Sequence, residues 1–496
     1  MYRIKSGSIA GREDTAAFIS LLDNLPKHLP AETGDFFAAA ELIVSRAPGR
    51  IDLMGGIADY SGSLVLQLPI ASATHVALEL GEELTLSIVS LPTESGESLR
   101  SFEISLADFL DAGRPIGYDI AGAMFKRESE NHWAAYVAGA FLVLMRERDW
   151  IFKHGARILI SSAVPEGKGV SSSAALEVAV MQAVAAAYQI EISPREIAFL
   201  CQKVENLVAC APCGVMDQMT AAGGEADRLL VLLCQPGRLD GTIGLPEELA
   251  VWGLDSGTRH SIGGADYRTV RTAAFMGYRM IAEMAGLPWH ETDKPGLIQI
   301  ADHKWDGYVA NITPADFEQC YASRLPPEMR GEEFLQQYKG ITDSVTVVEP
   351  GRVYPVLPAT RHPIHENARV YSFAEVMKNW KDLNQAAVLG ELMYESHGSY
   401  SACGLGSSGT DLLVDLVRKA GSAAGLYGAR ITGGGSGGTV AVLGDRNAGP
   451  SIEAITDLYA QRTGYRPIVF SGSSPGAGVF GHLRLAREHG LPQSGE

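Results

Sequence analysis

The chain has 496 residues, a formal net charge of −17 and 46% hydrophobic residues, which is enough length for two or three domains with sizeable cores. The acidic balance argues against a nucleic-acid or anionic-membrane surface. No apolar run approaches membrane-spanning length, and six cysteines in so long a chain are not a disulfide framework.

Residues 1–14 mix charge with glycine and lack an apolar signal core, so a cytoplasmic protein is the default expectation. Residues 14–40 read as one or two helices around Leu21, Leu22 and Leu25. A strand-and-turn cluster follows from Leu42 to Ala77. In it Leu64-Val65-Leu66 and Val76-Ala77-Leu78 are strand-like, and Gly55, Gly56 and Gly62 break between elements. Helices are predicted at 133–147, 173–189, 194–208 and 266–285. Gln235-Pro236-Gly237 and Gly244-Leu245-Pro246 set the strongest boundary signal, dividing residues 1–245 from residues 246–496. A second loop-rich zone spans Leu325 to Thr360. Helical patterns return at 372–396 and 409–420, and glycine-rich loops flanked by strand-like runs end the chain. The sum is a mixed α and β chain in two lobes.

The most informative stretch runs from Val164 to Ala175. A strand-like run, Ala156 to Ile160, leads into glycines and a serine run, and an Ala-rich apolar segment follows to Ile190. Strand, tight loop and helix N-terminus in that order make a phosphate cradle: glycines admit an anion close to the backbone, and free N–H groups and the helix dipole favour it. The common P-loop is excluded because Lys168 is followed by Gly169 rather than Ser or Thr. The same spacing also suits a small-residue loop capping a buried helix.

Three other patterns do not carry chemistry. Gly433 to Gly438 contains G-x-G-x-x-G and G-x-S-x-G, but both need a following helix, and Thr439 to Leu443 is strand-like. A glycine hairpin between two strands fits better. Cys210-Ala211-Pro212-Cys213 lacks a second pair and reads as buried thiols, and His362-Pro363-Ile364-His365 reads as structural.

Taken together, several segments resemble the GHMP kinases, in their galactokinase branch. Pro48 to Gly62 resembles the first motif of that branch, Pro165 to Ala175 the phosphate loop, and Gly433 to Gly438 the third motif. Glu205 with Pro212 to Gln218 resembles the segment carrying the catalytic aspartate, and Asp255 to Ser261 with Tyr267-Arg268 a sugar-side segment. Met54 to Leu66, Tyr400 to Ser407 and Gly472 to Gly478 are more similar to the kinase half of plant arabinokinases, and the chain is expected to correspond to that half alone. Residues 311–346 share this similarity without a physical account of their role.

The resemblance implies an α+β fold of two lobes, the first like ribosomal protein S5 and the second ferredoxin-like, with the active site between them and Gly433–Gly438 pressed against the phosphate loop. It implies phosphoryl transfer from ATP to the anomeric hydroxyl of a free sugar, a reaction that needs positioning and charge stabilisation. Pro165, Gly167, Gly169, Val170, Ser171, Ser172, Ser173 and Ala174 would hold the triphosphate, and Ser172 or Ser173 with Glu205 would hold Mg²⁺, a cation that prefers oxygen ligands. Asp217 would take or orient the hydroxyl proton, and Arg50 would stabilise charge on the transferring phosphoryl. Asp59, Tyr267 and the backbone of Gly214 and Val215 would line the sugar pocket. Intact Ser171–Ala175 and Asp217 favour an enzyme over a sugar and ATP sensor, and Arg50, Asp59 and Tyr267 favour a sugar over a non-sugar alcohol.

One departure bears on the substrate. Galactokinases typically carry Glu-His-Thr where this chain has Gly56-Ile57-Ala58, and that glutamate contacts the galactose C6 hydroxyl. L-Arabinopyranose has the same ring configuration without C6. An apolar Ile57 and a missing acid suit it, since an unmatched buried polar group would be costly. The expectation is L-arabinose first, galactose second and a uronic acid third, with Gly56→Glu shifting preference toward galactose. The alternative is that Gly56 only meets a backbone demand. The partners expected are a sugar and ATP, with the chain a monomer or homodimer.

Overall fold

The computed structural model describes residues 1–9, 11–30, 36–39, 41–92, 98–258 and 265–487. Two long neighbouring strands form its spine, β2 (Glu41–Met54) beside β3 (Leu64–Leu80), with β1 (Tyr2–Ser6) at the N-terminus. Both long strands are buried along nearly their whole length, as strands covered on two faces must be. β4 (Thr85–Ser90), β5 (Arg100–Ser105), β6 (Ala156–Ser162), β7 (Arg228–Leu233) and β8 (Arg238–Gly244) extend the sheet. A second, four-stranded antiparallel sheet holds β9 (Leu249–Asp255), β10 (Leu426–Ile431), β11 (Thr439–Asp445) and β12 (Val469–Phe470). β13 (Leu483–Arg487) returns to the first sheet between β1 and β2, giving it nine strands.

The two strand-like runs expected near 64 and 76 are one strand. Pro69 interrupts neither, because it falls where β3 changes its second partner, from β7 over residues 64–67 to β6 over residues 74–80. The punctuation at 235–237 turns the hairpin between β7 and β8 within the first sheet, and Gly244-Leu245-Pro246 leads into β9 of the second. Among the described residues, 14–40 supply one helix, Glu13–Asp23, and a single turn at Leu25–Lys27.

The predicted helices at 133–147, 173–189 and 266–285 are Ala135–Glu147, Ser172–Ala187 and Ala265–Met284. The helix predicted over 194–208 runs Pro194–Lys203 and then widens into a π turn at Val204–Val208. The pattern at 372–396 corresponds to two helices, Val356–Lys378 and Ala386–Ala402. Prolines made the first start look like loop. Pro355 precedes the helix and Pro358 lies in its first turn, where no N–H is needed, but Pro363 is tolerated inside.

The Ala-rich helix Ser172–Ala187 is buried against β2 and β3, its Val178, Met181 and Val184 sharing a core with Val76, Leu78, Ile88 and Ile158. A second core joins Ile51, Leu53 and Leu64 of the first sheet to Leu443 of the second and to Phe373, Met377 and Leu389 of the two long helices. At its edge lies an ion pair with no exposed surface: Arg430 of β10 donates to Asp52 of β2 at 2.8 Å. Replacing Arg430 by Met leaves a buried unpaired carboxylate, so the loss in unfolding free energy measured by denaturant titration is expected to be about 3–5 kcal/mol.

Candidate active site

Strand β2 positions two charged side chains on one face, because residues two apart along a strand point the same way. Arg50 and Asp52 are that pair. At Gly49 the pairing of β2 with β3 is irregular, and a Cβ there would lie 2.5 Å from the Val170 carbonyl. The missing side chain lets the phosphate loop dock directly on the strand, with the Arg50 N–H donating to Val170 at 3.1 Å.

Arg50 is 2% exposed and grips Asp217 with two parallel hydrogen bonds of 2.9 and 2.8 Å, while its third nitrogen donates to the Gly169 carbonyl at 2.7 Å. Asp217 sits in the first turn of the buried helix Met216–Gly223. Ser171 also donates to Asp217, at 2.5 Å, from a left-handed backbone with φ of 61°. Such strain in a non-glycine residue persists only where its surroundings hold it. The Ser171 hydroxyl is thus committed to the aspartate rather than free for a phosphate.

Ser172, Ser173 and Ala174 open the helix Ser172–Ala187, so their N–H groups precede its first hydrogen-bonded turn and point at the loop Pro165–Gly169. The Lys168 side chain of that loop is engaged by the second sheet. It donates to buried Asp255 of β9 at 2.7 Å, and Thr439 donates to its carbonyl. Beside the helix start, Ser90, Arg100, Trp133, Tyr136 and Leu176 line a cleft of about 100 Å³, with the Arg100 guanidinium 5.1 Å from the Trp133 ring centroid.

Behind Ser173 two carboxylates are buried together. Glu205, in the π turn, accepts from Gln218 at 2.5 Å. Its carboxyl is pushed up to about 7, chiefly by burial; a hydrogen bond from Ser173 opposes the shift, and the Asp217 charge adds to it. Glu177 is also raised, by burial first and by the Glu205 charge second, and the same Gln218 donates to it at 3.3 Å.

Asp59 lies on the turn Gly56–Ser61, across from Gly214. A Cβ on Gly214 would fall 1.7 Å from the Asp59 carboxylate, so only glycine fits. Asp59 Oδ1 is buried without a partner. Burial first and the Asp217 charge second push this carboxyl up to about 8, against the pull of Arg271. Tyr267 and Val215 are buried nearby, Tyr267 hydrogen-bonding Arg271. Arg259, His260 and Ser261 lie outside the described residues.

Gly56 and Ile57 are placed differently from the expectation. An ideal Cβ on Gly56 would sit 1.6 Å from the Tyr400 hydroxyl, and φ there is +50°. That hydroxyl accepts from the Ile57 N–H at 2.8 Å and donates to the Gly433 carbonyl at 2.9 Å. Gly56 therefore meets a packing demand, Ile57 is a core residue, and no side chain at 56 has room to reach a ligand. Gly433 in turn packs on Arg50 and Gly169, so the glycine hairpin lies against the phosphate loop. Cys210 and Cys213 are free thiols, and His362 is a buried residue pulled down to about 3 by burial. The motif reading missed Tyr400, Arg271 and Trp133. Tyr400 stood in a noted segment without a role, and neither Arg271 nor Trp133 belongs to any motif.

With this geometry in hand, comparisons define the class. The GHMP kinases N terminal domain matches residues 135–225, the galactokinase galactose-binding signature residues 34–80, and the GHMP kinases C terminal domain residues 380–461. An L-arabinokinase of Arabidopsis thaliana is 44% identical across 99% of this chain, and the chain spans 52% of that relative's length. A galactokinase of Chloroflexus aggregans is 29% identical, covering 90% of this chain and 94% of its own. The structure of Lactococcus lactis galactokinase complexed with galactose superposes with a TM-score of 0.67 at 19% identity, over 93% of this chain and 99% of that one. Methanococcus jannaschii mevalonate kinase gives 0.51 at 13%, over 87% and 98%. The chain belongs to the GHMP kinases, and within them to the galactokinase branch.

The Gly56–Tyr400 contact makes a prediction. Gly56→Ala is expected to lower unfolding free energy by about 1–3 kcal/mol, the cost of overpacking a filled site. Combining it with Tyr400→Phe is expected to recover part of that loss in a double-mutant cycle, and strict additivity would mean the two groups do not touch.

Proposed function

We propose that this protein is an ATP-dependent sugar 1-kinase that phosphorylates the anomeric hydroxyl of L-arabinose to give L-arabinose 1-phosphate. The observation that carries the reading is the Arg50–Asp217 pair, held against the phosphate loop by Ser171 and Gly169 with Asp59 facing it across Gly214.

In this reading the N–H groups of Ser172, Ser173 and Ala174 and the loop from Pro165 through Gly167, Gly169 and Val170 cradle the triphosphate, and the Trp133 cleft takes the base. Asp217 accepts the C1 hydroxyl proton as the oxygen attacks the γ-phosphorus and the bond from that phosphorus to the bridging oxygen breaks, releasing ADP. Arg50 lies close enough to offset charge as the phosphoryl passes. Asp59 offers Oδ1, an unpaired buried acceptor, to sugar hydroxyls, and Tyr267 walls the pocket. Glu205 with Ser173, or with Ser172, would hold Mg²⁺. Two buried carboxylates with only Gln218 and hydroxyl or thiol donors among the described residues fit a hard cation, whose part when bound would be to neutralise phosphate charge.

L-Arabinose is favoured by the identity to the Arabidopsis protein and by the Tyr400 hydroxyl, which fills the place where the galactokinase pattern puts its C6-binding glutamate. Galactose is the second reading. Among the described residues no helix is long and apolar enough to cross a membrane. We take the six free thiols to suit a reducing cytoplasm, the division near residue 245 to separate the two lobes, and the protein to act as a monomer or homodimer.

ATP-dependent phosphorylation of a panel of free sugars tests this. L-Arabinose is expected to lead D-galactose, D-glucuronate, D-galacturonate and L-fucose in kcat/KM. Asp217→Asn is expected to lower kcat by about 10²–10⁴-fold with ATP affinity retained. A leading galactose would refute the Tyr400 argument, and an unchanged kcat would remove Asp217 from its role.

The Asp59 carboxyl supplies a pH test. Below about 8 it is protonated and cannot accept a second hydroxyl, so sugar KM is expected to fall about tenfold per unit as pH rises toward that value and to level above it. The same rise costs stability, because the native state holds a proton that the unfolded chain releases. Asp59→Asn is expected to flatten the KM profile; a profile that keeps its slope would assign the titration elsewhere.

A further inference from the structure

Residues 302–348 form an excursion between the helices Ala265–Met284 and Val356–Lys378 that no matched domain covers. It is folded into the sugar side of the molecule. Trp305, Ile312, Phe317, Phe334 and Ile341 share one core with Ile57, Tyr267 and Tyr400. It also clamps the end of the turn that carries Asp59. The Tyr308 ring lies 2.3 Å from where a Gly62 side chain would start, and Gln235 bridges the Gly62 carbonyl and Asn311 with two 2.7 Å bonds.

The excursion's strongest contact is Asp343 to Arg271. Two bonds of 2.8 and 2.9 Å join them, both side chains are buried, and Val345 and Thr346 donate three further bonds to the carboxylate. The guanidinium's remaining nitrogen donates to the Cys213 carbonyl at 3.1 Å. Cys213 precedes Gly214, the residue against which Asp59 rests. The path from Asp343 to the Asp59 carboxylate therefore runs through one side chain and one peptide. Burial opposes both charges, yet each offsets it for the other, leaving Asp343 below and Arg271 above the ordinary range.

We infer that the 302–348 excursion is the sugar-selecting wall of this site, with Asp343 a positioning residue that acts through Arg271 to fix Gly214 against Asp59. The inference rests on the sugar-kinase reading. A charge-assisted bidentate pair fixes both distance and angle, which a lysine or a water could not. The wall thereby sets where Asp59 presents its acceptor, and so which hydroxyl pattern fits.

The test compares Asp343→Asn, Asp343→Glu and the milder Thr346→Val with the full-length wild type. Sugar KM is expected to rise about tenfold in Asp343→Asn and about threefold in Thr346→Val, with kcat and ATP KM held and the L-arabinose to galactose ratio narrowed. Asp343→Glu is expected to recover part of the ratio. Calorimetric titration of sugar without nucleotide is expected to show the same weakening. A purely structural role would lower the melting temperature and active fraction while leaving KM and the ratio alone, and that result would overturn the inference. If Asp343→Asn does not fold, Thr346→Val decides by the same measurements. The wild-type panel reports on the function; the ratio of variant to wild type reports on the wall, for whichever sugar the wild type prefers.

Discussion

The Asp52–Arg430 ion pair is the constraint on which the two halves of the site depend. Its partners are 378 residues apart in sequence and fully enclosed. A buried pair costs desolvation on both sides and is retained only where its geometry is complete. Asp52 completes it by also accepting from Gln67 and from the Gly56 N–H, and Tyr400 lies over the Arg430 guanidinium at 5.1 Å. The pair thereby fixes the start of the turn that holds Asp59, the tyrosine that closes it and the hairpin that backs Arg50. One strand, β2, carries Asp52 and Arg50 two residues apart, so seating the second lobe also aligns the Arg50–Asp217 pair.

Buried acids in this region divide by what neutralises them. Asp217 has Arg50, Asp52 has Arg430, Asp343 has Arg271 and Asp255 has Lys168. Each is fixed by a cation that the chain supplies. Asp59, Glu177 and Glu205 have no such ion pair among the described residues, and all three carboxyls are raised. Of the compensated acids, Asp52, Asp255 and Asp343 tie the frame together. The uncompensated ones are poised for charge or hydrogen bonds arriving from outside, which is the electrostatic pattern of a ligand site rather than of a core.

What the chain revealed in advance follows from local rules. Glycines before a serine run and an apolar helix mark an anion cradle because loop and helix are contiguous, and Arg50, Asp59 and Asp217 lie in short recognisable stretches. Two readings of Gly56 stood open because a glycine's neighbour in space, Tyr400, lies 344 residues away and leaves no mark on the spacing. Arg271 and Asp343 were illegible for the same reason: neither has a motif, and only folding joins a helix face to a turn 72 residues later. The start of the helix Val356–Lys378 was hidden by prolines whose effect depends on position within the first turn rather than on number.

Lys168 gives the phosphate loop an unusual mechanical status. It rises from the first sheet's side of the molecule, yet its side chain is bonded to Asp255 and Tyr465 and its carbonyl to Thr439, all in the second half of the chain. The loop is a rivet through both lobes. A cleft that opened by hinging would have to shear those bonds and the Gly433–Arg50 packing at once. Any opening between the lobes is therefore held shut at its back, and movement is left to the rim.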